Sequence, residues 1–354
     1  MPFVVLGNFA SGTHQVETSP DGITWTSHAT PSDPSGGFAL CFGNGRYVAV
    51  CFAPNGTTSI AMTSTDGVTW ASHSIPQPNA QYNGVTWSAA LGLFVAIDTV
   101  DGTSAFVITS PDGANWTQSA TITQGATGVG LLTSICAGPS LLVAVSDSSA
   151  SGKVVATSPD GVTWTNRLGA GTGKDWNAVT FGGGQFVAVC STSTSHQIMT
   201  SPDGITWTLQ VTPTPRQEWF GLCFGNGLYV AVGNPPTGPQ TSQIMTSPDG
   251  VTWTKQTTPA GTLPLTGVFF GNAEYLAVGF GTGGNNVLTS PDGVTWTLQT
   301  SAIPDLLQAV VFGPASPSPT FGSIKITFRG VKRTKCKRDA ELVQMPEVPH
   351  AEWE

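Results

Sequence analysis

The chain has 354 residues, of which 10% are charged, against roughly 25% in an average globular domain. Its net charge is −8, and residues 1–313 carry 6 basic and 16 acidic side chains. Because such a body repels polyanions, we expect no nucleic-acid partner. No apolar run approaches the ~18 residues of a membrane span, and no basic-then-apolar leader opens the chain, so neither membrane insertion nor a signal peptide is expected.

In chain order, the first predicted strand is Phe3–Gly7, and a turn motif follows it at Ser19-Pro20-Asp21-Gly22-Ile23-Thr24-Trp25. The motif occurs seven times in all, with aspartates 45, 46, 48, 43, 46 and 43 residues apart and a tryptophan four residues after each aspartate. The aspartates are Asp21, Asp66, Asp112, Asp160, Asp203, Asp249 and Asp292, and the tryptophans are Trp25, Trp70, Trp116, Trp164, Trp207, Trp253 and Trp296. A period of roughly 40–50 residues with several short strands is typical of a β-propeller.

Each repeat is predicted to contain four strands, A to D, as its sixth copy illustrates. Strand A covers residues 220–224, strand B 228–232, strand C 243–246 and strand D 251–254, with tight turns between A and B and between C and D. In strand D, Val251 and Trp253 alternate with threonines, which predicts one half-buried face. We expect all seven motif aspartates and tryptophans to be structural, because the turn and the core account for them.

The two ends of the chain predict a closed ring. The chain begins at a strand B, and a lone strand A at Leu306–Gly313 follows the seventh strand D. That strand would complete the first blade and leave no open sheet edge. The predicted fold is therefore all-β: a seven-bladed β-propeller of four-stranded blades over residues 1–313.

The turn motif resembles the Asp-box (BNR) repeat of sialidase-type propellers, which reads Ser-x-Asp-x-Gly-x-Thr-Trp. This chain has one residue fewer between Asp and Gly. The resemblance implies the propeller fold and places the motif away from the substrate face. Sialidase activity would need an arginine triad and a tyrosine nucleophile, but the body has only Arg46, Arg167 and Arg216, with Arg46 on an A–B turn.

The D–A and B–C connections hold most of the variation in length and sequence, and binding residues concentrate on such loops. One sector, around blades 5 and 6, gathers the candidate ligand-binding residues Arg167, Lys174, Asp175, Trp176, His196, Arg216, Glu218 and Trp219. Tyr82, from another blade, is a further candidate because it occupies the same repeat position as the two tryptophans. The three aromatic residues occupy one repeat position at the mouth of strand A. Aromatic faces beside polar groups could stack on a sugar ring or a peptide side chain. The alternative is that the aromatics plug the channel and the charges pair with one another.

Catalytic and metal sites are not predicted. Asp175 and Glu218 could form a glycosidase pair, but Lys174 and Arg216 beside them would lower carboxyl pKa values, which is unfavourable for a general acid. Asp98, Asp101 and Asp147 could contribute to a Ca²⁺ site, although no known calcium-loop spacing is present. We therefore expect no catalytic residue, no metal and no cofactor. The cysteines of the repeats are expected to be buried free thiols.

Residues 314–354 are predicted to form a Pro/Ser spacer, a further strand and a charged tail. The strand places Ile324, Ile326 and Phe328 on one apolar face, and six basic residues lie within 329–338. An amphipathic strand on a spacer favours docking by strand addition to another subunit.

These features favour a non-enzymatic binding and scaffold propeller. We expect a structural subunit of a larger particle, such as a phage virion tail, fibre or capsid decoration, that presents its loops to a carbohydrate or a protein. The expected location is a virion or other extracellular particle surface, after synthesis in the cytoplasm. The alternatives are a free-standing lectin or adhesin and an Asp-box carbohydrate-active hydrolase.

Overall fold

The computed structural model describes residues 2–8, 15–31, 36–52, 59–76, 80–98, 104–124, 127–147, 151–171, 173–191, 197–213, 217–235, 243–262, 264–279, 287–299 and 306–313. These segments contain 28 strands and no α-helix, and the strands form seven four-stranded antiparallel sheets. Within these segments, no helix has the length and apolar character needed to cross a membrane. The predicted all-β, seven-bladed β-propeller is confirmed.

Each blade consists of strands A, B, C and D, which pair side by side in that order. Blade 1 is β28 (Leu306–Phe312), β1 (Phe3–Asn8), β2 (Gln15–Ser19) and β3 (Thr26–Ala29). Blade 2 is β4 (Gly36–Gly43), β5 (Arg46–Phe52), β6 (Ser59–Ser64) and β7 (Ala71–Ser74). Blade 3 is β8 (Tyr82–Ser88), β9 (Leu93–Asp98), β10 (Ser104–Ser110) and β11 (Thr117–Thr123). Blade 4 is β12 (Leu132–Ala137), β13 (Leu142–Ser146), β14 (Lys153–Ser158) and β15 (Thr165–Leu168).

The remaining three blades follow the same order. Blade 5 is β16 (Trp176–Gly182), β17 (Gln185–Cys190), β18 (Ile198–Ser201) and β19 (Thr208–Gln210). Blade 6 is β20 (Glu218–Gly225), β21 (Leu228–Asn234), β22 (Gln243–Ser247) and β23 (Thr254–Gln256). Blade 7 is β24 (Leu265–Gly271), β25 (Glu274–Gly279), β26 (Val287–Ser290) and β27 (Thr297–Gln299).

The ring is closed by the two ends of the body, as predicted. Strand β28 pairs antiparallel with β1, with Val4 opposite Val311 and Val5 opposite Val310. The rings of Phe3 and Phe312 lie 4.9 Å apart, centroid to centroid. The A strands contact one another in the cyclic order β4, β8, β12, β16, β20, β24, β28 and back to β4. Every blade therefore has a neighbour on both sides.

Neighbouring blades interlock where each A strand ends. In six blades a glycine stands there, and the ring of an aromatic residue from the next blade fills the space that its side chain would need; blade 3 has Ser88 at this position. A Cβ atom on Gly225 would lie 2.1 Å from the Phe270 ring, and one on Gly271 would lie 2.2 Å from Phe312. The contact between Gly313 and Phe42 continues this series across the closure. These glycines are needed for close approach rather than for a turn.

The turn motif is held by its aspartate, as Asp249 shows. Its Oδ1 accepts hydrogen bonds from the backbone N–H groups of Val251 at 2.9 Å and Thr252 at 2.7 Å. The Gly250 carbonyl accepts a bond from the indole Nε1 of Trp253 at 2.8 Å. The same indole-to-glycine bond occurs in all seven copies. A carboxylate that satisfies two backbone donors and a packed indole give the motif a structural role.

The predicted start of strand D was wrong. In blade 6 the strand begins at Thr254, and the segment before it is a turn. The reason is the pair of hydrogen bonds from Val251 and Thr252 to the Asp249 carboxylate, which hold these residues out of the ladder. As a result Val251 does not share the buried face of Trp253; its side chain is 46% exposed.

The five described cysteines are free thiols, as predicted: Cys41, Cys51, Cys136, Cys190 and Cys223. Burial raises the thiol pKa well above its ordinary value at Cys41, Cys51, Cys136 and Cys223. Cys51 and Cys223 are buried in the core and Cys41 and Cys136 pack partly buried against it, so these four thiols act as small apolar residues.

The compact unit of the backbone spans Met1–Ser316. The predicted extension 314–354, with its docking residues Ile324, Ile326 and Phe328, lies outside the described residues. Its boundary and its role stay predictions.

Candidate functional site

The innermost strands of all seven blades surround a channel with a cavity of about 230 Å³. One ring of its wall consists of residues at a single repeat position, and all of them are small: Ala39, Gly84, Ser134, Ala178, Gly221, Gly267 and Ala309. Small side chains are required where seven strands converge. The cavity lies at the first half of each A strand, the end that the D–A connections reach. We call this opening the channel mouth.

Each innermost strand carries a register shift at the channel mouth. In blade 5, Trp176 lies opposite Cys190 and Ala178 lies opposite Val189, so Asn177 has no counterpart on β17. Corresponding shifts occur between the A and B strands of the other six blades. An unpaired extra residue of this kind is a β-bulge, which re-aims side chains.

The bulge determines which side chains reach the channel. The predicted aromatics precede it and are turned into the blade interfaces: Trp176 and Trp219 are 0% exposed and Tyr82 is 1% exposed. The Tyr82 hydroxyl donates to the Pro76 carbonyl at 3.1 Å. The Trp219 Nε1 donates to the Gln197 side-chain oxygen at 3.3 Å. Their rings offer no free face in this structure, so stacking on a ligand would require them to move.

The residues one position later line the channel instead. They are Asn83, Asn177, Phe220 and Thr266, with Ser134 one step further along its strand. The side chain of Asn177 donates to the Trp219 carbonyl at 2.9 Å, which fixes the amide at the blade 5–6 boundary. Among the described residues, the lining of this cavity includes no charged side chain. The channel therefore offers amide and hydroxyl groups and one aromatic ring to an uncharged group.

Sequence reasoning missed these channel residues because a strand was assumed to alternate regularly. The available signal was the pair of a polar residue followed by a very small one, as in Asn83-Gly84 and Asn177-Ala178. A bulge is consistent with that pair, although the pair does not require one.

The structure describes four of the charged candidates: Arg167, Lys174, Asp175 and Glu218. Arg167 lies on β15, the outermost strand of blade 4, where its Nε donates to the Thr157 hydroxyl at 3.2 Å. Lys174 is buried and Asp175 is half-buried, and the Asp175 carbonyl accepts a bond from the Ser191 N–H at 3.1 Å. Glu218 is half-buried at the first position of β20. His196 and Arg216 lie outside the described residues. The ligand-binding role of this set remains a prediction.

Asp98 is an unusual buried carboxyl at the end of β9. Its repeat position holds Ser146, Cys190, Gly233 or Gly279 in other blades, all smaller residues. Its Oδ1 accepts a bond from the Phe106 N–H at 2.8 Å, and its buried Oδ2 has no hydrogen-bond partner among the described residues. Burial raises the pKa of Asp98 to about 7, against an opposing effect of the Phe106 N–H.

The acidic residues considered for calcium do not come together in the described segments. The Asp147 carboxylate accepts a bond from the Leu131 N–H at 2.6 Å. Asp101 lies outside the described residues. Within the described part of the chain, no group of three His, Cys, Asp or Glu residues is placed to hold a metal ion.

No protein-family model and no curated protein matches this chain. Solved structures do resemble it. A catalytically inactive virginiamycin B lyase from Staphylococcus aureus with quinupristin has a TM-score of 0.61 at 13% identity, covering 78% of this chain and 87% of the lyase. A streptogramin B lyase has a TM-score of 0.55 at 12% identity, and the match covers 78% of this chain and 89% of the lyase. YCF48 bound to the D1 peptide has a TM-score of 0.53 at 18% identity, and the match covers 77% of this chain and 84% of YCF48. Likeness at these identities extends to the fold alone: the chain is similar to these proteins as a seven-bladed β-propeller.

Proposed function

We propose that this chain is a non-enzymatic binding propeller that recognises a carbohydrate or protein ligand at the channel mouth. The observation that carries the proposal is the neutral, hydrogen-bonding lining that the bulges present there, with Asn83, Asn177 and Thr266 beside Phe220. Such groups suit an uncharged polar ligand, because buried polar atoms on both sides can be satisfied. Among proteins of this fold, YCF48 binds the D1 peptide, so the scaffold is compatible with a peptide ligand.

We further propose that the protein is a structural subunit of a larger particle, with a virion tail, fibre or capsid decoration as the favoured setting. The support is the sequence of residues 314–354, whose alternating strand could join another subunit's sheet. On this proposal the channel mouth faces outward on the particle surface and the tail anchors the chain.

Arrays of immobilised glycans and peptides test the recognition half of the proposal. The full-length chain should bind a defined subset, and the double substitution Asn83→Ala and Asn177→Ala should weaken that binding at least about tenfold, since two amide contacts are lost. The matched control is Gln210→Ala, which removes an amide from an outer strand instead of the channel. Equal binding by the native and channel variants, or turnover of an array ligand, would refute the proposed role.

The anchoring half is tested in the full-length chain by replacing Ile324, Ile326 and Phe328 with serine. The variant should keep its array binding but no longer sediment with particles from the expressing cells. Unchanged sedimentation with the particles would show that the tail is not the anchor.

A further inference from the structure

The face opposite the channel mouth carries a repeated apolar feature that the fold does not need. Eight large apolar side chains are exposed among the described residues, and six of them stand two positions after a motif aspartate. These six are Ile23, Val68, Val162, Ile205, Val251 and Val294, with exposures from 40% to 56%. The remaining copy, in blade 3, has Ala114 at this position. The feature therefore recurs at every blade except blade 3.

The six side chains lie on one face of the disc. The A–B turn of one blade contacts the C–D turn of the next: Arg46 Nη1 donates to the Asp112 carbonyl at 2.7 Å, and Asn272 donates to the Pro20 carbonyl at 3.3 Å. The second bond crosses the closure between blades 7 and 1. We call the surface formed by the A–B and C–D turns the turn face.

The apolar side chains contribute little to the turn itself. In the blade 6 copy, the backbone N–H of Val251 bonds to Asp249, and the packing is supplied by Gly250 and Trp253. Any residue with an N–H could serve at this position, as Ala114 does in blade 3. Exposing a polar side chain to water costs less free energy than exposing an apolar one. Six exposed β-branched apolar residues are therefore unexpected on a surface that contacts solvent alone.

The turn face is also strongly acidic. Its described residues include seven motif aspartates and Glu274, but Arg46 is its single lysine or arginine. Backbone hydrogen bonds from the residues three and two positions later hold the pKa of Asp21, Asp160, Asp203, Asp249 and Asp292 below its usual range. These carboxyls are therefore ionised at neutral pH and add negative charge beside each apolar side chain.

The negative charge of the turn face distinguishes between two possible binding partners, a second copy of this chain and a basic protein surface. Two copies of the chain stacked through their turn faces would bring eight carboxylates against eight, which is unfavourable at ordinary ionic strength. A surface that carries lysine or arginine together with aliphatic side chains would be complementary in both respects. We propose that the turn face is a second docking surface, which binds a basic, partly apolar protein surface through the six exposed aliphatic side chains and their flanking aspartates.

The proposal is tested on the full-length chain with two synthetic peptides of equal positive charge. Both contain eight lysines, and the spacer residues are isoleucine in one and serine in the other. Isothermal titration should give a Kd for the isoleucine peptide at least about tenfold lower than for the serine peptide. The triple substitution Ile23→Thr, Val162→Thr and Val294→Thr should reduce this preference at least about fivefold and leave serine-peptide binding within about twofold.

Two controls make the result specific. Leu168→Thr with Val211→Thr removes exposed apolar side chains outside the turn motif and should leave both affinities unchanged. A second triple variant, Val68→Thr, Ile205→Thr and Val251→Thr, should repeat the first result, and near-ultraviolet circular dichroism should confirm native packing in both. A retained preference in both folded triple variants, or an equal loss in the control, would overturn the proposal. So would a dimer in sedimentation that both triple variants abolish, because the occupant would then be a second copy.

Discussion

The two faces of the propeller differ in what repeats and what varies. On the turn face, seven copies of one motif repeat the same carboxylate-to-backbone bonds and the same indole-to-glycine bond. At the channel mouth, the unpaired residue of each bulge changes from blade to blade, from Asn83 to Thr133 to Phe220. The repeated hydrogen bonds mark what the fold requires, whereas variation at the channel mouth marks where recognition is free to diverge.

Variation alone does not identify a binding residue, however. Trp176 and Trp219 also vary between blades, yet they are fully buried in the clusters between neighbouring blades. They fill interfaces whose size differs from blade to blade. The comparison of the two faces therefore has to be made with burial as well as sequence.

The largest expected effect concerns these buried aromatics. Trp219→Ala at the channel mouth and Trp253→Ala in the turn motif should each lower the free energy of unfolding by about 3–5 kcal/mol, because each empties a packed site. Phe220→Ala, next to Trp219 but half-buried in the channel wall, should cost much less. Denaturant unfolding of the three variants measures the difference. A nearly neutral Trp219→Ala would show that this tryptophan belongs to a binding site instead of the core.

A smaller effect concerns Asp98, whose pKa is raised, whereas the pKa values of motif aspartates such as Asp203 on the turn face are lowered. The pKa of Asp98 is raised from an ordinary 3.8 to about 7, so the folded state binds a proton more tightly than the unfolded state. Its contribution to stability is therefore lost as pH rises from about 4 to 7. Asp98→Asn removes this titration, and the melting temperature of the variant relative to the native chain should rise by roughly 2–5 °C between pH 4.5 and pH 8.

The matched comparison for Asp98 is a motif aspartate, whose pKa shift has the opposite sign. Asp203→Asn should lose stability relative to the native chain above pH 4, because the depressed pKa of Asp203 reflects its bonds to Thr206 and Ile205. If the melting temperatures of the two variants, relative to the native chain, changed with pH in the same direction, the opposite pKa shifts of Asp98 and Asp203 would be contradicted.

Much of the fold could be predicted from the sequence, because its determinants are local and repeated. The Ser-Pro-Asp-Gly turn and the regular spacing of the tryptophans determine blade number, and the strand around Val310 indicates the closure. The predicted start of strand D was wrong because the Val251 N–H donates to the Asp249 carboxylate instead of to a neighbouring strand. Residue type alone does not reveal this competition. The interlock of Gly225 with Phe270 was missed because it depends on the distance between blades.

The candidate site was harder to predict than the fold for a physical reason. A single bulge exchanges the inward and outward sides of a strand, so Asn177 reaches the channel and Trp176 does not. The bulge arises where seven strands converge, and convergence is a property of the assembled ring. The local pair Asn177-Ala178 is consistent with the bulge but does not require it.

The central claim is that strands β1 and β28, from the two ends of the body, share one sheet. Cysteine cross-linking tests it directly, using Val4→Cys with Val311→Cys and, one register step away, Val5→Cys with Val310→Cys. Because adjacent pairs alternate in geometry along an antiparallel ladder, at least one pair should form a disulfide in the folded chain, detectable as a linked peptide by mass spectrometry. The mismatched pair Val4→Cys with Val268→Cys should not. Failure of both matched pairs in folded protein, or equal linkage of the mismatched pair, would contradict the closed seven-bladed ring.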